Sequence, residues 1–223
     1  MSSDEVLQIA KNAGALYVDD HIVDMTFAHT TCCADFRVFR RRPELANDFR
    51  RLCDNLAYAF SEINEIDGVV GPETHGGEIA KAVAFQLSRL GSRHVRAITA
   101  FKRSDTLGKD FYFPEEDRVF MLNKKLLILD DVLHRGTTIR PMLARARKCG
   151  AQPIAVGVFA NQSALSAQDF DVPFFHTLLT LETQVWTEEE CRKVGPCSRG
   201  VPINTKVARG AEFVAKHGQP TYR

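Results

Sequence analysis

The segment 126–140 contains the side chains of this sequence that are best suited to binding and chemistry. Four apolar residues lead to Asp130 and Asp131, and two more lead to a loop, 134–138, that contains a glycine and two threonines. A buried strand that ends in acids presents them at its carboxyl end, where open α/β sheets bind ligands. Backbone N–H groups at the start of a following helix lack partners and favour a phosphate group. Because carboxylates accept hydrogen bonds from hydroxyl groups, the segment predicts a site for a sugar phosphate that carries a diol.

Two other interpretations of the acid pair compete with this one. Acids at the end of a Walker B strand are typical of nucleotide hydrolases, but those proteins also need an upstream G-x-x-x-x-G-K-[ST] loop, which the sequence lacks. The acids could instead form a turn with a purely structural role. The run Arg135-Gly136-Thr137-Thr138 directly after them favours the ligand site.

A second loop that could bind a ligand lies at 71–77 and reads Gly71-Pro72-Glu73-Thr74-His75-Gly76-Gly77. It separates a short apolar run from an amphipathic helix, and its glycines allow the backbone to approach a ligand closely. An ordinary glycine-rich turn is the alternative. Lys102 and Arg103 follow a further predicted strand, where two basic residues are otherwise usually solvated.

The elements that position these loops follow one order, a short apolar strand, a loop and an amphipathic helix. We expect strands near 68–70, 95–101, 125–129, 154–159 and 174–181, and no helix within 102–124. A helix with an apolar stripe is expected after Pro43, and Thr187 with Glu190 suits a short capped helix. The alternation predicts right-handed crossovers and an α/β fold, with a mostly parallel central sheet flanked by helices.

The composition bounds the class of protein. The chain has 223 residues and a formal net charge of +1, which gives no long-range field toward nucleic acid or an acidic membrane. A single domain spanning 1–223 is expected, with 1–42 and 186–223 as terminal elements, and a core of this size needs neither disulfides nor a metal. The acidic start of the chain and the lack of a long apolar run predict a cytoplasmic protein with reduced thiols.

The segment 126–140 resembles the signature of the type I phosphoribosyltransferases, and Gly136-Thr137-Thr138-Ile139-Arg140 is most similar to the orotate phosphoribosyltransferase version. Similarity to this subgroup extends to 42–45, to the 71–77 loop and to the C-terminal run 186–205. The resemblance implies the type I phosphoribosyltransferase fold, in which the terminal segments form a small hood or lid. It also implies transfer of ribose 5-phosphate from phosphoribosyl diphosphate (PRPP) to a nucleobase, most simply an orotate-like or other pyrimidine, with release of diphosphate.

The resemblance assigns roles residue by residue. Asp130 and Asp131 would bind the ribose hydroxyls and the metal. The 5′-phosphate would be held by four residues, Arg135, Gly136, Thr137 and Thr138. The diphosphate would be bound by the loop Glu73, Thr74, His75, Gly76 and Gly77, and faced by three cations, Lys102, Arg103 and Lys109. Lys102 is also implied as a catalytic residue.

Departures from the family pattern concern the base and the loop that covers the site. His134 stands where the family usually has threonine or aspartate, beside the base, where a histidine can donate or accept a hydrogen bond. A solvent-facing histidine is the alternative. The segment that contacts orotate in the family is replaced by 29–33, and the lysine-rich loop keeps only Lys102 and Lys109. These changes motivate an alternative function, a non-catalytic protein that binds PRPP or a nucleotide and regulates a partner.

The resemblance implies Mg²⁺ as the cofactor, PRPP and a nucleobase as ligands, and a homodimer. The near-zero net charge and the lack of a long apolar run predict no nucleic acid and no membrane as partners. Five residues separate Cys191 from Cys197, and there is no second close pair, which is a weak signal for zinc. The sequence favours an ordered C-terminal lid with free thiols.

Overall fold

A computed structural model describes residues 1–91, 93–103 and 110–221 of the chain. The chain divides into two compact units. The larger unit comprises Met1–Ile9 and Phe36–Thr180, and the smaller unit comprises Ala10–Asp35 and Leu181–Arg223. The assignment of 1–223 to one domain, with 1–42 and 186–223 as hood elements, stays a prediction.

The helices in chain order are α1 Ser3–Asn12, α2 Val38–Arg41, α3 Ala46–Ala59, α4 His75–Gly91, α5 Glu115–Met121, α6 Ile139–Lys148, α7 Glu188–Val194 and α8 Gly210–His217. Short 3₁₀ helices occupy Pro43–Leu45, Gln168–Phe170 and Pro196–Arg199. The strands are β1 Leu16–Val23, β2 His29–Ala34, β3 Gly68–Pro72, β4 Arg96–Lys102, β5 Phe111–Tyr112, β6 Lys125–Leu133, β7 Gln152–Asn161, β8 Phe174–Thr180 and β9 Val185–Trp186.

The larger unit is built on a six-stranded sheet in the order β5-β4-β3-β6-β7-β8. Every neighbouring pair is parallel except β4 with β5, which is antiparallel. The chain moves from β3 to β4 in one direction and from β6 to β7 in the other. Right-handed crossovers therefore place α4 and α6 on opposite faces of the sheet. This confirms the predicted α/β fold with a mostly parallel sheet flanked by helices.

The apolar runs of the sequence become the core of this sheet. Residues 126–129 of β6 are fully buried, as expected for a parallel strand covered on both faces. The apolar stripe of α6, formed by Ile139, Met142, Leu143 and Ala146, packs into the same hydrophobic cluster as β6. Burying apolar surface contributes a free energy of about 25 cal/mol per Å², which holds the strand and the helix together. The segment between them is therefore anchored at both ends.

The segment 102–124 contains a helix that the sequence prediction missed. α5 begins after Pro114, has three acidic residues in its first turn, and buries only Asp117 and Met121. Seven residues with two buried positions give too short a stripe to reveal helical periodicity. β6 is also longer than predicted, because it continues four residues past Leu129 to Leu133.

The smaller unit contains a three-stranded sheet in the order β1-β2-β9, in which both pairings are antiparallel. The predicted cap of α7 is confirmed: Thr187 Oγ1 accepts from the Glu190 N–H at 3.2 Å, and Glu190 Oε2 accepts from the Thr187 N–H at 2.8 Å. One hydrophobic cluster of this unit joins Val23, Ile203 and Phe213. None of the helices in the described part of the chain has the length and apolar composition needed to cross a lipid bilayer.

Candidate active site

The carboxyl ends of β4, β3 and β6 lie side by side in the larger unit, because β3 pairs in parallel with both of the others. Residues 73–77 follow β3, Lys102 and Arg103 lie at the end of β4, and the segment 130–138 covers the end of β6 and the loop after it. The sheet order reverses between β3 and β6, since the chain returns to the other side of β3 after β4. Such a switch point is where open α/β sheets bind ligands.

The acid pair lies within β6, not after it, since the strand continues to Leu133. Asp130 is 7% exposed and Asp131 is half-buried. Asp130 Oδ1 accepts from the N–H of Asp131 at 3.0 Å, and Asp131 Oδ1 accepts from the N–H of Val132 at 2.8 Å. These local hydrogen bonds hold the two carboxylates in place near the carboxyl end of the strand.

The loop after β3 approaches this acid pair at Gly76. A Cβ atom at Gly76 would lie 3.5 Å from Asp130 Oδ1 and only 2.3 Å from Pro72 Cδ. The proline ring cannot move away freely, so only glycine fits at this position. The backbone of residues 73–77 therefore comes close to Asp130, and the structure brings together two of the predicted site segments.

The same loop is tied to the end of β4. The Lys102 N–H donates to Glu73 Oε1 at 3.1 Å, and the Glu73 N–H donates to the Ala100 carbonyl at 2.8 Å. The side chains of Lys102 and Arg103 are exposed, as are those of Glu73 and Thr74. Arg103 Nη1 lies 3.8 Å from Asp110 Oδ2. The third predicted cation, Lys109, lies outside the described residues.

His75 is the most buried polar residue of the loop, with 3% of its surface exposed. Its Nδ1 atom lies 3.5 Å from Glu78 Oε2, and its ring centroid is 5.2 Å from that of Phe49. Within the part of the chain that the structure describes, neither ring nitrogen has a hydrogen-bond partner. Burial lowers the pKa of His75, and the negative charges of Asp131 and Glu78 oppose this shift. His75 is therefore a neutral side chain held in the negative field of Asp131 and Glu78.

The loop 134–138 connects β6 to α6, as predicted. Gly136 has φ +70°, and a Cβ atom there would lie 3.1 Å from Arg140 Nε and 3.3 Å from Phe170 Cε1. The Gly136 carbonyl accepts from the Arg140 N–H at 2.9 Å, which begins the first turn of α6. Within this loop Arg135 and Thr137 are exposed, and His134 and Thr138 are half-buried.

Arg140, a further cation of this region, stabilises the fold through contacts with residues 169 and 170. Its Nη1 donates to the Asp169 carbonyl at 2.6 Å, and its guanidinium lies over the Phe170 ring at 5.2 Å. These contacts hold the start of α6 against the 3₁₀ helix Gln168–Phe170. The loop is thus fixed on both sides while Arg135 points to solvent.

Comparison with known families decides the class. The phosphoribosyl transferase domain family matches residues 44–193, about two thirds of the chain. The chain belongs to this family. The family match and the relatives described below confirm the predicted resemblance to the type I enzymes of the orotate subgroup. They also confirm the predicted class of enzyme, the glycosyltransferases.

Curated relatives and solved structures agree with the family. Orotate phosphoribosyltransferase of Caldanaerobacter subterraneus subsp. tengcongensis is 29% identical over 140 residues, which span 62% of this chain and 64% of that protein. The enzyme of the same name from Chlorobium phaeobacteroides is 24% identical over 211 residues, 94% of this chain and 97% of that protein. The crystal structure of orotate phosphoribosyltransferase from Francisella tularensis superposes with a TM-score of 0.58 at 18% identity, covering 81% of this chain and 84% of that one. At this identity the superposition shows the fold alone.

The donor set of this phosphoribosyltransferase fits Mg²⁺, the metal that the family resemblance implies. Carboxylate oxygens are the hard donors that Mg²⁺ prefers, and it is usually held by one or two carboxylates together with substrate phosphates. Within the described residues, Asp130 and Asp131 do not join a third histidine, cysteine or acid in a complete ligand set. They therefore suit a cation whose remaining ligands come from a phosphorylated substrate and water.

Sequence reasoning missed the residues that surround His75. Glu78 faces its Nδ1 atom, and Arg40 Nε lies 3.5 Å from the other carboxylate oxygen of Glu78. The spacing of His75 and Glu78, three residues apart at the start of a predicted helix, was the available signal. The contribution of Arg40 had no such signal, because α2 lies far from α4 in sequence.

Proposed function

We propose that this phosphoribosyltransferase transfers ribose 5-phosphate from PRPP to an orotate-like or another pyrimidine base and releases diphosphate, with Mg²⁺ as cofactor. The observation that carries the proposal is the acid pair of β6, which lies beside the glycine loop of β3 and runs directly into the loop before α6. The names of the relatives support a pyrimidine acceptor.

The segment 130–138 binds the ribose and the 5′-phosphate of PRPP. Asp130 and Asp131 accept hydrogen bonds from the two ribose hydroxyls, which suits carboxylates already oriented by backbone N–H groups. The 5′-phosphate lies in the loop Arg135–Thr138, where the dipole of α6 favours an anion and Arg135 adds a positive charge. The positive φ of Gly136, which glycine adopts without strain, sets the turn of this loop before α6.

The diphosphate accounts for the neighbouring strand ends. Residues 73 and 74 form the turn before α4, and residues 75–77 form its first turn, so their backbone N–H groups can approach phosphate oxygens. Lys102 and Arg103 supply exposed positive charge next to this loop, and the hydrogen bond from the Lys102 N–H to Glu73 fixes their distance from it. Lys109, in the part of the chain without a description, is proposed as the third cation.

The chemistry requires positioning and charge stabilisation but no covalent nucleophile. The bond between the anomeric carbon and diphosphate breaks, positive charge develops on the sugar ring, and the base nitrogen forms the new bond. Asp130 and Asp131 would hold Mg²⁺, which would neutralise part of the negative charge of the departing diphosphate. Lys102 stabilises the same charge, and His134 exchanges a hydrogen bond with the base. We propose a cytoplasmic homodimer as the working form, which size-exclusion chromatography with light scattering tests.

A base panel tests the proposal. The protein is incubated with Mg²⁺, PRPP and each of orotate, uracil, adenine, guanine and hypoxanthine, and diphosphate release is measured. Release that depends on a pyrimidine supports the proposal, whereas dependence on a purine contradicts the acceptor. Release without any base indicates a hydrolase. Saturable PRPP binding without release indicates a regulatory protein, and both of these results overturn the transferase.

A further inference from the structure

Four side chains of the smaller unit bring metal-ligand atoms to one point. His21 lies in β1, His29 begins β2, Cys191 lies in α7, and Cys197 lies in the 3₁₀ helix Pro196–Arg199. One ligand atom from each of these residues lies within 4.8 Å of the other three. His21, His29 and Cys191 are fully buried, and Cys197 is 9% exposed. None of the four has a role in the proposed transferase site.

The distances within this Cys–His cluster approach those of a tetrahedral centre. His21 Nε2 lies 3.6 Å from Cys191 Sγ and 3.7 Å from Cys197 Sγ, and His29 Nδ1 lies 3.5 Å from Cys197 Sγ. Zinc bonds of about 2.05 Å to nitrogen and 2.3 Å to sulfur give tetrahedral nitrogen–sulfur separations of about 3.6 Å. The two imidazole nitrogens are 2.8 Å apart, so a bound ion would move them apart by about 0.5 Å.

The surroundings of His21 orient it as a ligand. Its Nδ1 atom lies 2.7 Å from the Val201 carbonyl, which can only accept, so Nδ1 carries the proton. The neutral ring then presents the lone pair of Nε2 to the cluster. Metal-bound histidines are usually held in this way, with the distal N–H donated to a carbonyl or carboxylate.

The hydrogen bonding of the His29 ring is also incomplete when no ligand is bound. In the neutral cluster its Nδ1–H donates to His21 Nε2, which leaves the buried Nε2 atom of His29 as an acceptor without a partner among the described residues. An unsatisfied buried acceptor costs about 1–3 kcal/mol. If both facing nitrogens bind a cation, the proton moves to His29 Nε2. The His29 ring lies perpendicular to that of Phe213, with the ring centroids 4.9 Å apart.

The sulfur side of the cluster is shaped by a close turn. The Cys197 N–H donates to Cys191 Sγ at 3.3 Å, a contact that favours negative charge on sulfur. A Cβ atom at Gly195 would lie 2.9 Å from this same sulfur and 2.8 Å from Cys191 Cα. Glycine at 195 therefore lets the chain fold tightly around Cys191 and return Cys197 to the same point.

We propose that His21, His29, Cys191 and Cys197 form a structural Zn²⁺ site. Two thiolates and two neutral imidazoles balance the charge of the ion, which makes burial of the whole centre tolerable. Binding releases one proton from each thiol and changes no oxidation state. All four positions are filled by protein and are buried, which is the arrangement of structural rather than catalytic zinc sites. The mixed sulfur and nitrogen donors exclude Mg²⁺ as the preferred ion.

The site meets a need of the smaller unit. The expectation that the chain requires no metal assumed a single core of 223 residues, but this unit has roughly 70 residues and its own small hydrophobic cluster. Units below about 80 residues often use disulfides or metals for stability. His21 and Cys191 are 170 residues apart in sequence, so zinc joins the two chain segments from which the unit is formed.

Metal analysis of the purified full-length chain tests the site. We expect about one zinc per chain by inductively coupled plasma mass spectrometry after purification without added metal. Cys197→Ser and the double variant Cys191→Ser/Cys197→Ser should lose most of this zinc. Cys33→Ser is the matched control, because Cys33 lies in the same unit but outside the cluster, and it should keep its zinc.

A second measurement uses the wild-type chain, so that misfolding of a variant cannot decide the result. After removal of metal by a strong chelator, added Co²⁺ should produce the intense visible absorption of a tetrahedral site with thiolate ligands. Added Zn²⁺ should displace it and raise Tm by roughly 10 °C or more over the metal-free protein. No zinc, no tetrahedral spectrum and an unchanged Tm would overturn the proposal, as would a Cys191–Cys197 disulfide found by mass spectrometry.

Discussion

Two polar regions of the molecule differ in their exposure to solvent. One is the acid-pair edge of the larger unit, by which we mean the residues at the carboxyl ends of the strands, 73–77, 102–103 and 130–138. The other is the Cys–His cluster of the smaller unit. Both gather polar side chains from separate elements into a small volume. At the edge, Asp131 is half-buried and Lys102 and Arg103 are exposed, so a ligand can enter and leave. In the cluster, three of the four side chains are fully buried, and each provides its ligand atom to the same point.

This difference indicates what each region does. Charged groups that remain open to solvent are suited to a substrate that brings its own phosphates and hydroxyls. A closed, neutral set of four donors leaves no position for a substrate and can only hold an ion in place. Changes at the edge should therefore alter turnover with little effect on zinc, and changes in the cluster should alter zinc content and stability.

The largest effect on the edge is expected from the acid pair. Asp131→Asn and Asp130→Asn keep the side-chain shape and the oxygen that accepts a backbone N–H, but remove the charge. We expect kcat/KM to fall by about 10²–10³-fold in each variant, with zinc content unchanged. Isothermal titration with PRPP should show weakened binding.

The control for the acid pair is Asp171→Asn. Asp171 is 96% exposed and has a left-handed backbone conformation, which asparagine also adopts readily. The activity of the Asp171→Asn variant should equal that of the wild type. If the double variant of Asp130 and Asp131 binds PRPP with wild-type affinity, the ribose-binding role of the pair is wrong.

The same comparison explains why one region could be predicted from sequence and the other could not. The acids, the loop and the helix of the edge are contiguous within 126–140, so their spacing carries the information. Local strand and helix periodicity likewise predicted the sheet. The cluster depends on His21 and His29, which lie more than 160 residues before their cysteine partners. Only the tertiary fold brings them together, and a five-residue gap between Cys191 and Cys197 is a weak signal alone.

The sequence prediction also missed β1 and β2, whose polar and apolar residues alternate irregularly, and α5 and α8, which have little burial. α5 buries two residues, and α8 is eight residues long with Gly210 and Phe213 buried. Their positions are determined by tertiary packing rather than by a periodic apolar stripe. The extension of β6 through the acids was missed for a related reason, because charged residues interrupt the apolar run although pairing with β7 continues to Leu133.

Two glycines allow a matched test of the two regions. Gly76→Ala places a Cβ against the Pro72 ring, and Gly195→Ala places one against Cys191 Sγ. Each should cost about 1–3 kcal/mol of stability by overpacking. We expect Gly76→Ala to lose activity and keep zinc, and Gly195→Ala to bind zinc more weakly in a competition titration.

Gly91→Ala is the control for these variants, because a Cβ there would meet only the Arg93 side chain, at 3.6 Å. It should keep both activity and zinc. The separation of the two regions would be disproved if Gly76→Ala lost zinc in proportion to its loss of activity while remaining folded by circular dichroism.

A smaller effect is expected at Lys102. Lys102→Ala removes an exposed ammonium group but keeps the backbone N–H that donates to Glu73. Turnover should fall by about tenfold to a hundredfold, less than for a buried donor because solvent screens the charge, while Tm stays within about 1 °C. Lys81→Ala, an exposed lysine on α4, should match the wild type. Equal steady-state activity of Lys102→Ala would assign this lysine to the solvated surface.

The smallest effect concerns the pH dependence of stability at His75. Burial holds its pKa below the value of about 6.5 in the unfolded chain, against the opposing charges of Asp131 and Glu78 and with the help of Arg40. The unfolded state therefore binds more protons as pH falls below 6.5, and the stability present above that pH is lost on acidification. At pH 5.5 the loss from one histidine is at most about 1.4 kcal/mol.

Urea unfolding at pH 7.5 and pH 5.5 measures this loss, and His75→Gln isolates it. His176 also has a pKa lowered by burial, so both proteins should lose stability in acid. The variant should lose less, because glutamine binds no proton. An identical loss in the two proteins would mean that the field of Asp131 and Glu78 fully offsets burial at His75. The acid-pair edge would then be more electrostatically coupled to its glycine loop than the distances between their side chains suggest.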